Sequence, residues 1–168
     1  MNIFAVAKDP VIAAGSLCDK HVVKMILESA QMLCTAHFVV DRRQLRLKPT
    51  HKNHPCVRWV CASSSNYSWL ARHALALAEE YWYRYRRLHA YESTGLLNYL
   101  YDIRPRRLDI LPMTPFAQCM PDEYKHSSAV AAYRRYYLGE KARFAVYTRR
   151  PPPKWFPHAT FKLIGDKK

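Results

Sequence analysis

Glycine is scarce in this chain, with four residues among 168. A loop that cradles phosphate needs several glycines, and neither a Walker run nor a dinucleotide-binding fingerprint occurs, so P-loop and Rossmann chemistries are excluded. Long apolar runs are missing too. No stretch of ~18 apolar residues exists, so no bilayer span and no membrane partner are expected. The opening stretch MNIFAVAKDP has no basic leader before an apolar core, and Asp9-Pro10 interrupts it, so no secretory signal is expected. Acidic residues are few, 13 Asp and Glu against 27 Lys and Arg. Cysteines number five, an odd set without framework spacing. They read as reduced thiols in a cytoplasmic compartment, the host cytoplasm if the chain is viral.

Apolar residues make up 49% of the chain and charged residues 24%, which describes a globular protein with a core and not a disordered one. The length suits one domain. Net charge is +14, with an isoelectric point near 9.8. That excess points to nucleic acid or another anionic partner. Twelve Tyr and four Trp add faces on which bases can stack.

Periodicity predicts mainly α structure: one compact domain, residues 1–168, of three long helices plus short ones, joined by basic irregular loops. Residues 2–7 form a short strand or an extended arm. The first helix runs from near Ser16, where Ser16 and Asp19 make a cap-like pair, to about Val40. Residues 41–56, DRRQLRLKPTHKNHPC, are basic and broken by Pro49 and Pro55, hence a loop. Ser63–Ser65 cap the second helix, whose positions Tyr67, Leu70, Ala71, Ala74, Leu77, Ala78, Tyr81 and Tyr85 repeat at helical spacing. A short helix covers 93–102, and 103–126 is irregular. Ser127 or Ser128 caps the third, which ends near Tyr147 before PPP at 151–153. A basic, Pro-rich tail follows from about 149. Val22, Ile26, Ala30 and Leu33 should face Leu70, Ala74, Leu77 and Tyr81.

His21, Lys24 and Glu28 are spaced i, i+3, i+7, and Gln31 and Thr35 continue the same stripe. A solvated face with ion pairing is the plain explanation, worth a few tenths of a kcal/mol. The other faces of this helix are mostly apolar, however, so the helix is central, and a carboxylate there needs a partner or a task. The stripe should therefore open into a cleft. The pairs Cys18-x-x-His21 and Cys34-x-x-His37 look like zinc half-sites, but they lie roughly 24 Å apart at ~1.5 Å per residue. His51, His54 and Cys56 complete no strong pattern, so no metal site is read. Basic groups recur along the chain: Lys20, Lys24, His51-Lys52-Asn53-His54, Arg104 with Arg106-Arg107, Arg134-Arg135, and Arg149-Arg150 with Lys154-Trp155. Together they predict a phosphate-tracking surface.

The run CDKHVVKMILE resembles the catalytic helix of the viral pyrimidine-dimer DNA glycosylases of the endonuclease V type. There an Asp-Gln-His element precedes the catalytic Glu by seven residues, matching Asp19-Lys20-His21 and Glu28. NYSWLARHALALAEEYWYRYRRLH is similar to that family's long helix after a His-rich loop. The wider pattern MNIF, CDKHVVKM, THKNHPC and TPFAQCMP-x-x-Y resembles small phage proteins related to these enzymes. The resemblance implies a small all-α enzyme without metal or cofactor that bends duplex DNA and extrudes a nucleotide. It assigns the Met1 α-amine as nucleophile at the sugar C1′ and Glu28 as the carboxylate that stabilises the cationic sugar or moves protons, with His21 beside it. An α-amine suits that task, since its ordinary pKa of ~7.7–8.0 leaves far more free base at neutral pH than a lysine near ~10.4. No obligate protein partner is implied. Two other readings stand beside it: a transferase acting on a hydroxymethylated or otherwise modified pyrimidine in phage DNA, with Glu28 and His21 as acid and base, and a non-enzymatic nucleic-acid-binding module.

Overall fold

The computed structural model describes residues 1–163, and its architecture is mainly α. A short helix α1 (Pro10–Gly15) leads into the long α2 (Asp19–Asp41), then α3 (Pro55–Val60), the long α4 (Ser64–Tyr85), α5 (Ala90–Ser93), α6 (Leu96–Asp102) and α7 (Ala129–Tyr136). Two three-residue strands, β1 (Val146–Thr148) and β2 (Thr160–Lys162), pair in parallel with Val146 opposite Thr160.

The expected start of the first helix is corrected. Asp9 caps α1 by accepting from the Val11 and Ile12 amides, with Pro10 at the first helical position. An Asp cap followed by Pro is a stronger start signal than Ser16 with Asp19. Ser16 instead closes α1, and α2 begins after Cys18, which provides no side-chain cap. The expected third long helix is corrected as well. It stays α only to Tyr136, widens into a π turn over Tyr137–Lys141, tightens into a 3-10 turn over Ala142–Phe144, and gives way to β1. Residues 55–60, placed partly in a loop by the sequence, form α3 because Pro55 sits at its first turn rather than in its middle.

The centre is α2 packed on α4, and all eight residues expected at that seam are buried. By length and mean hydropathy α2 could cross a membrane, but 67% of that stretch is buried inside this fold. At the edge of the same seam lies Arg84, with a fully buried side chain. Its guanidinium donates to Asp19 Oδ1 at 2.8 Å and to Glu80 Oε1 at 2.7 Å, which is how a buried cation is made tolerable. Asp19 also accepts from the Thr148 amide and hydroxyl, so the acid of the CDKH run is committed to fastening β1 onto α2.

Residues 2–7 are an extended arm, not a strand, and it threads through the core: Ile3, Phe4, Ala5 and Val6 are buried. Without a sheet partner, its backbone is tied by a local turn, in which the Val6 amide donates to Phe4 O at 2.7 Å, and by side chains at Val6 and at Lys8 just beyond it. Trp69 Nε1 donates to Lys8 O at 2.6 Å, and Arg134 Nε donates to Val6 O at 2.8 Å. Phe4 takes a left-handed backbone conformation with φ 39°, which turns the chain so that residues 1 and 2 come back over α2.

Candidate active site

The arm ends on the polar stripe of α2. The Asn2 amide donates to Glu28 Oε2 at 2.9 Å, and the Met1 α-amine stands 3.6 Å from the same oxygen. Lys24 Nζ lies 3.3 Å from Glu28 Oε1, one helical turn away. Glu28 itself is only 9% exposed. A buried carboxylate is expensive unless paired and hydrogen-bonded, and here an ammonium, an amide and a lysine share its charge. Asn2 is held in turn. Its side chain accepts from the Ile3 and Phe4 amides and donates to Cys119 O at 2.8 Å.

These groups open into a cleft of about 280 Å³ lined by Met1, Asn2, Phe4, His21, Lys24, Met25, Glu28, Cys119, Tyr136 and Lys141. Its lining is mostly polar and basic. His21 is buried, with its ring stacked on Phe4 and Nδ1 within 2.7 Å of the Tyr137 hydroxyl. Burial first, and then the charges of Lys141, Lys24 and Lys20, pull its pKa down to about 3. His21 is therefore a neutral imidazole that positions Tyr137 and the arm. Its hydrogen bond goes to Tyr137 rather than to Glu28.

The far wall comes from residues that the sequence reading did not single out. Tyr136 and Lys141 are five apart, so on an α-helix they would point to different sides. The π turn, with its i to i+5 repeat, brings them together: Lys141 Nζ is 3.1 Å from the Tyr136 hydroxyl and lies over its ring. Nothing in the local sequence marks that change of period.

Of the other basic residues singled out in the sequence, Lys20 lies over the Phe144 ring and Lys52 over the Phe38 ring, while His51 and Asn53 are exposed. None of these four lines the cleft. Arg134 is engaged by Val6 and Trp155, so it holds the fold, whereas Arg135 is exposed. Arg150 donates to Glu80 at 2.6 Å and stacks on Tyr83 in a separate, larger groove, and the Arg149 amide bonds to β2.

His54 caps α3 through Nδ1, which accepts from the Cys56 amide at 3.2 Å. It falls below the ordinary histidine value through burial and then through the positive α-amine and His51. The Cys56 thiol donates to Cys119 Sγ at 3.2 Å. That hydrogen bond, with help from the α-amine, draws the Cys119 thiol down, while the same contact and burial push Cys56 up.

No curated protein and no solved structure matches the chain. Residues 1–93, which carry the arm, α2 with Glu28, and α4, match the family described as pyrimidine dimer DNA glycosylase. The match covers more than half of the sequence, and the chain belongs to that family.

Proposed function

We propose that the protein is a DNA glycosylase that takes a damaged or modified pyrimidine out of duplex DNA and breaks its N-glycosidic bond in the cleft between the arm, α2 and the π turn. The observation that carries this reading is the Met1 α-amine standing 3.6 Å from the buried Glu28. A nucleophile and an anion are then side by side where an everted sugar would enter. As the C1′–N bond breaks, the base leaves with the electron pair and positive charge builds on the sugar. A fixed carboxylate in a site poor in water stabilises that charge. The free amine attacks C1′ and loses a proton, for which Glu28 is the nearest acceptor. The C1′–O4′ bond then opens, with O4′ taking up the proton held by Glu28, and leaves an imine at C1′; loss of a C2′ proton from that imine expels the 3′-phosphate, which is the lyase step. In this scheme Lys24 and Lys141, which line the cleft, meet the flanking phosphates. Lys20, Lys52, Asn53 and Arg135 extend the contact along the DNA backbone.

The test uses duplexes carrying ultraviolet photoproducts or modified pyrimidines, with released base and strand breaks followed separately. Glu28→Gln keeps shape and one acceptor but removes the charge. It should retain DNA binding and lose turnover by on the order of 10² or more. Borohydride should trap a covalent adduct whose peptide map ends at Met1. Full turnover in Glu28→Gln would refute the catalytic carboxylate. Base release without a trapped adduct would remove the amine from the scheme. A heavier nucleoside instead of a free base would identify a transferase.

A further inference from the structure

The glycosylase reading gives no task to the side chains of His54 and Cys56 in THKNHPC or of Cys119 in TPFAQCMP, and the fold brings them together. His54 and Cys56 lie at the start of α3, and Cys119 lies in the irregular segment 63 positions after Cys56. One donor atom from each falls within 4.8 Å of the other two.

We propose that His54, Cys56 and Cys119 bind a zinc-type divalent ion beside the cleft. The donor set is one imidazole and two sulfurs, which is what a borderline-soft d10 cation selects. Geometry decides between this and a disulfide. Two sulfurs on one tetrahedral zinc, with bonds of ~2.3 Å, sit roughly 3.8 Å apart. A disulfide holds them at ~2.05 Å. The observed separation is 3.2 Å. Reaching the zinc spacing opens the pair by roughly 0.6 Å, while bonding closes it by roughly 1.1 Å, so the thiols stand nearer the zinc spacing than the bonded one.

Charge and access agree. Two thiolates and a neutral imidazole neutralise a divalent ion, so no net charge is left in a partly buried place. Cys56 is buried, whereas His54 and Cys119 are half-buried, and Cys119 lines the cleft with Met1 and Asn2. An ion can therefore enter from the cleft side. Three protein donors leave the fourth tetrahedral position to a solvent ligand. The ion would also clip the segment before α7 onto α3 and, through the Asn2 side chain bonded to Cys119 O, steady the arm.

The inference does not rest on the glycosylase reading, because uptake is measured without DNA. Reduced, metal-free protein is titrated with Co2+ as a visible probe and then with Zn2+. The expected result is one ion per chain, with thiolate-to-cobalt charge-transfer absorption and intense tetrahedral bands that Zn2+ abolishes. Zn2+ should also raise the melting temperature. Cys119→Ser, at a half-buried position, should weaken uptake by on the order of 10² or more and cancel the rise, since even second-sphere losses cost 10–100-fold. Cys61→Ser should change neither. Circular dichroism checks that each variant folds, and His54→Ala gives a second ligand deletion if a serine variant does not. Absence of the cobalt bands in reduced wild-type protein would overturn the proposal. So would bands that survive Cys119→Ser, or a Cys56–Cys119 disulfide whose reduced form takes up no ion.

Discussion

Phe4 lies flat on the imidazole of His21, with ring centroids 4.3 Å apart and planes inclined by 19°. The same ring meets Tyr137 edge-on at 5.6 Å and Tyr133 at 6.2 Å. Four aromatic groups from the arm, α2 and the third helical segment thus close on one point. This packing holds the arm where the Asn2 amide reaches Glu28.

Truncating that ring should be costly. Phe4 is 6% exposed, and removal of a buried phenylalanine costs about 3–5 kcal/mol. Phe4→Ala should therefore lower unfolding stability by about 3 kcal/mol in a urea titration, and Phe4→Leu by less. Both should reduce turnover beyond the loss in folded fraction, because the Met1 amine loses its register on Glu28. A Phe4→Ala variant as stable and active as wild type would show that the arm is not fixed by this stack.

Arg84 supplies the sharpest stability test. Its removal leaves Asp19 and Glu80 facing each other's surroundings without the cation between them, and breaking a buried pair costs about 3–5 kcal/mol. Arg84→Ala should lose that much in denaturant unfolding. Arg84→Lys should recover only a minor part, because one ammonium cannot fork to two carboxylates and also reach Gly15 O as the guanidinium does.

The α2–α4 seam was legible in the sequence because apolar residues repeat at helical spacing over both stretches, and burial alone decides which face turns inward. The stripe of His21, Lys24 and Glu28 was legible for the same reason. The arm was legible only as one of two alternatives, and its path through the core was not, since the side chains that hold it at Val6 O and Lys8 O, Arg134 and Trp69, come from remote positions. Nor was the far wall, because the π turn alters the period that pattern reading assumes. Asp19 read as part of the chemical motif, yet its partners Arg84 and Thr148 lie 65 and 129 positions away.

Acid should destabilise the fold through its buried histidines. His21 is pulled down to about 3 and His73 to about 4, in both cases chiefly by burial, from an ordinary value of 6.5. In the unfolded chain both protonate as pH falls through 6.5, while the folded protein keeps them neutral. The unfolded state then binds more protons, so stability is full above that value and falls as pH drops toward 4 and 3. Each histidine contributes a slope of up to about 1.4 kcal/mol per pH unit. Urea midpoints between pH 7 and pH 4.5 should decline accordingly, and His73→Gln should flatten the decline by about one proton's worth. A midpoint independent of pH over that range would contradict the buried, neutral state.

Lys141 links the electrostatics of the cleft to its proposed use. After burial it is the largest influence holding His21 down, and it lies over Tyr136 at the cleft wall. Replacing it with methionine keeps the aliphatic stem on the ring and removes the charge. A missing positive neighbour favours the protonated imidazole, so the His21 pKa should rise from about 3 while burial keeps it below 6.5. Nuclear magnetic resonance titration of the His21 ring reads this shift directly. Unfolding stability near neutral pH should change by less than about 0.5 kcal/mol, because a single half-exposed contact of this kind contributes little. Binding to duplex DNA should respond differently. If Lys141 neutralises one phosphate, the slope of log affinity against log salt should become shallower by about 0.9. Lys8→Met, at an exposed position just after the arm and outside the cleft, is the comparison. An unchanged salt slope together with a raised His21 pKa would keep Lys141 as part of the cleft's electrostatic wall and remove it from the DNA contact.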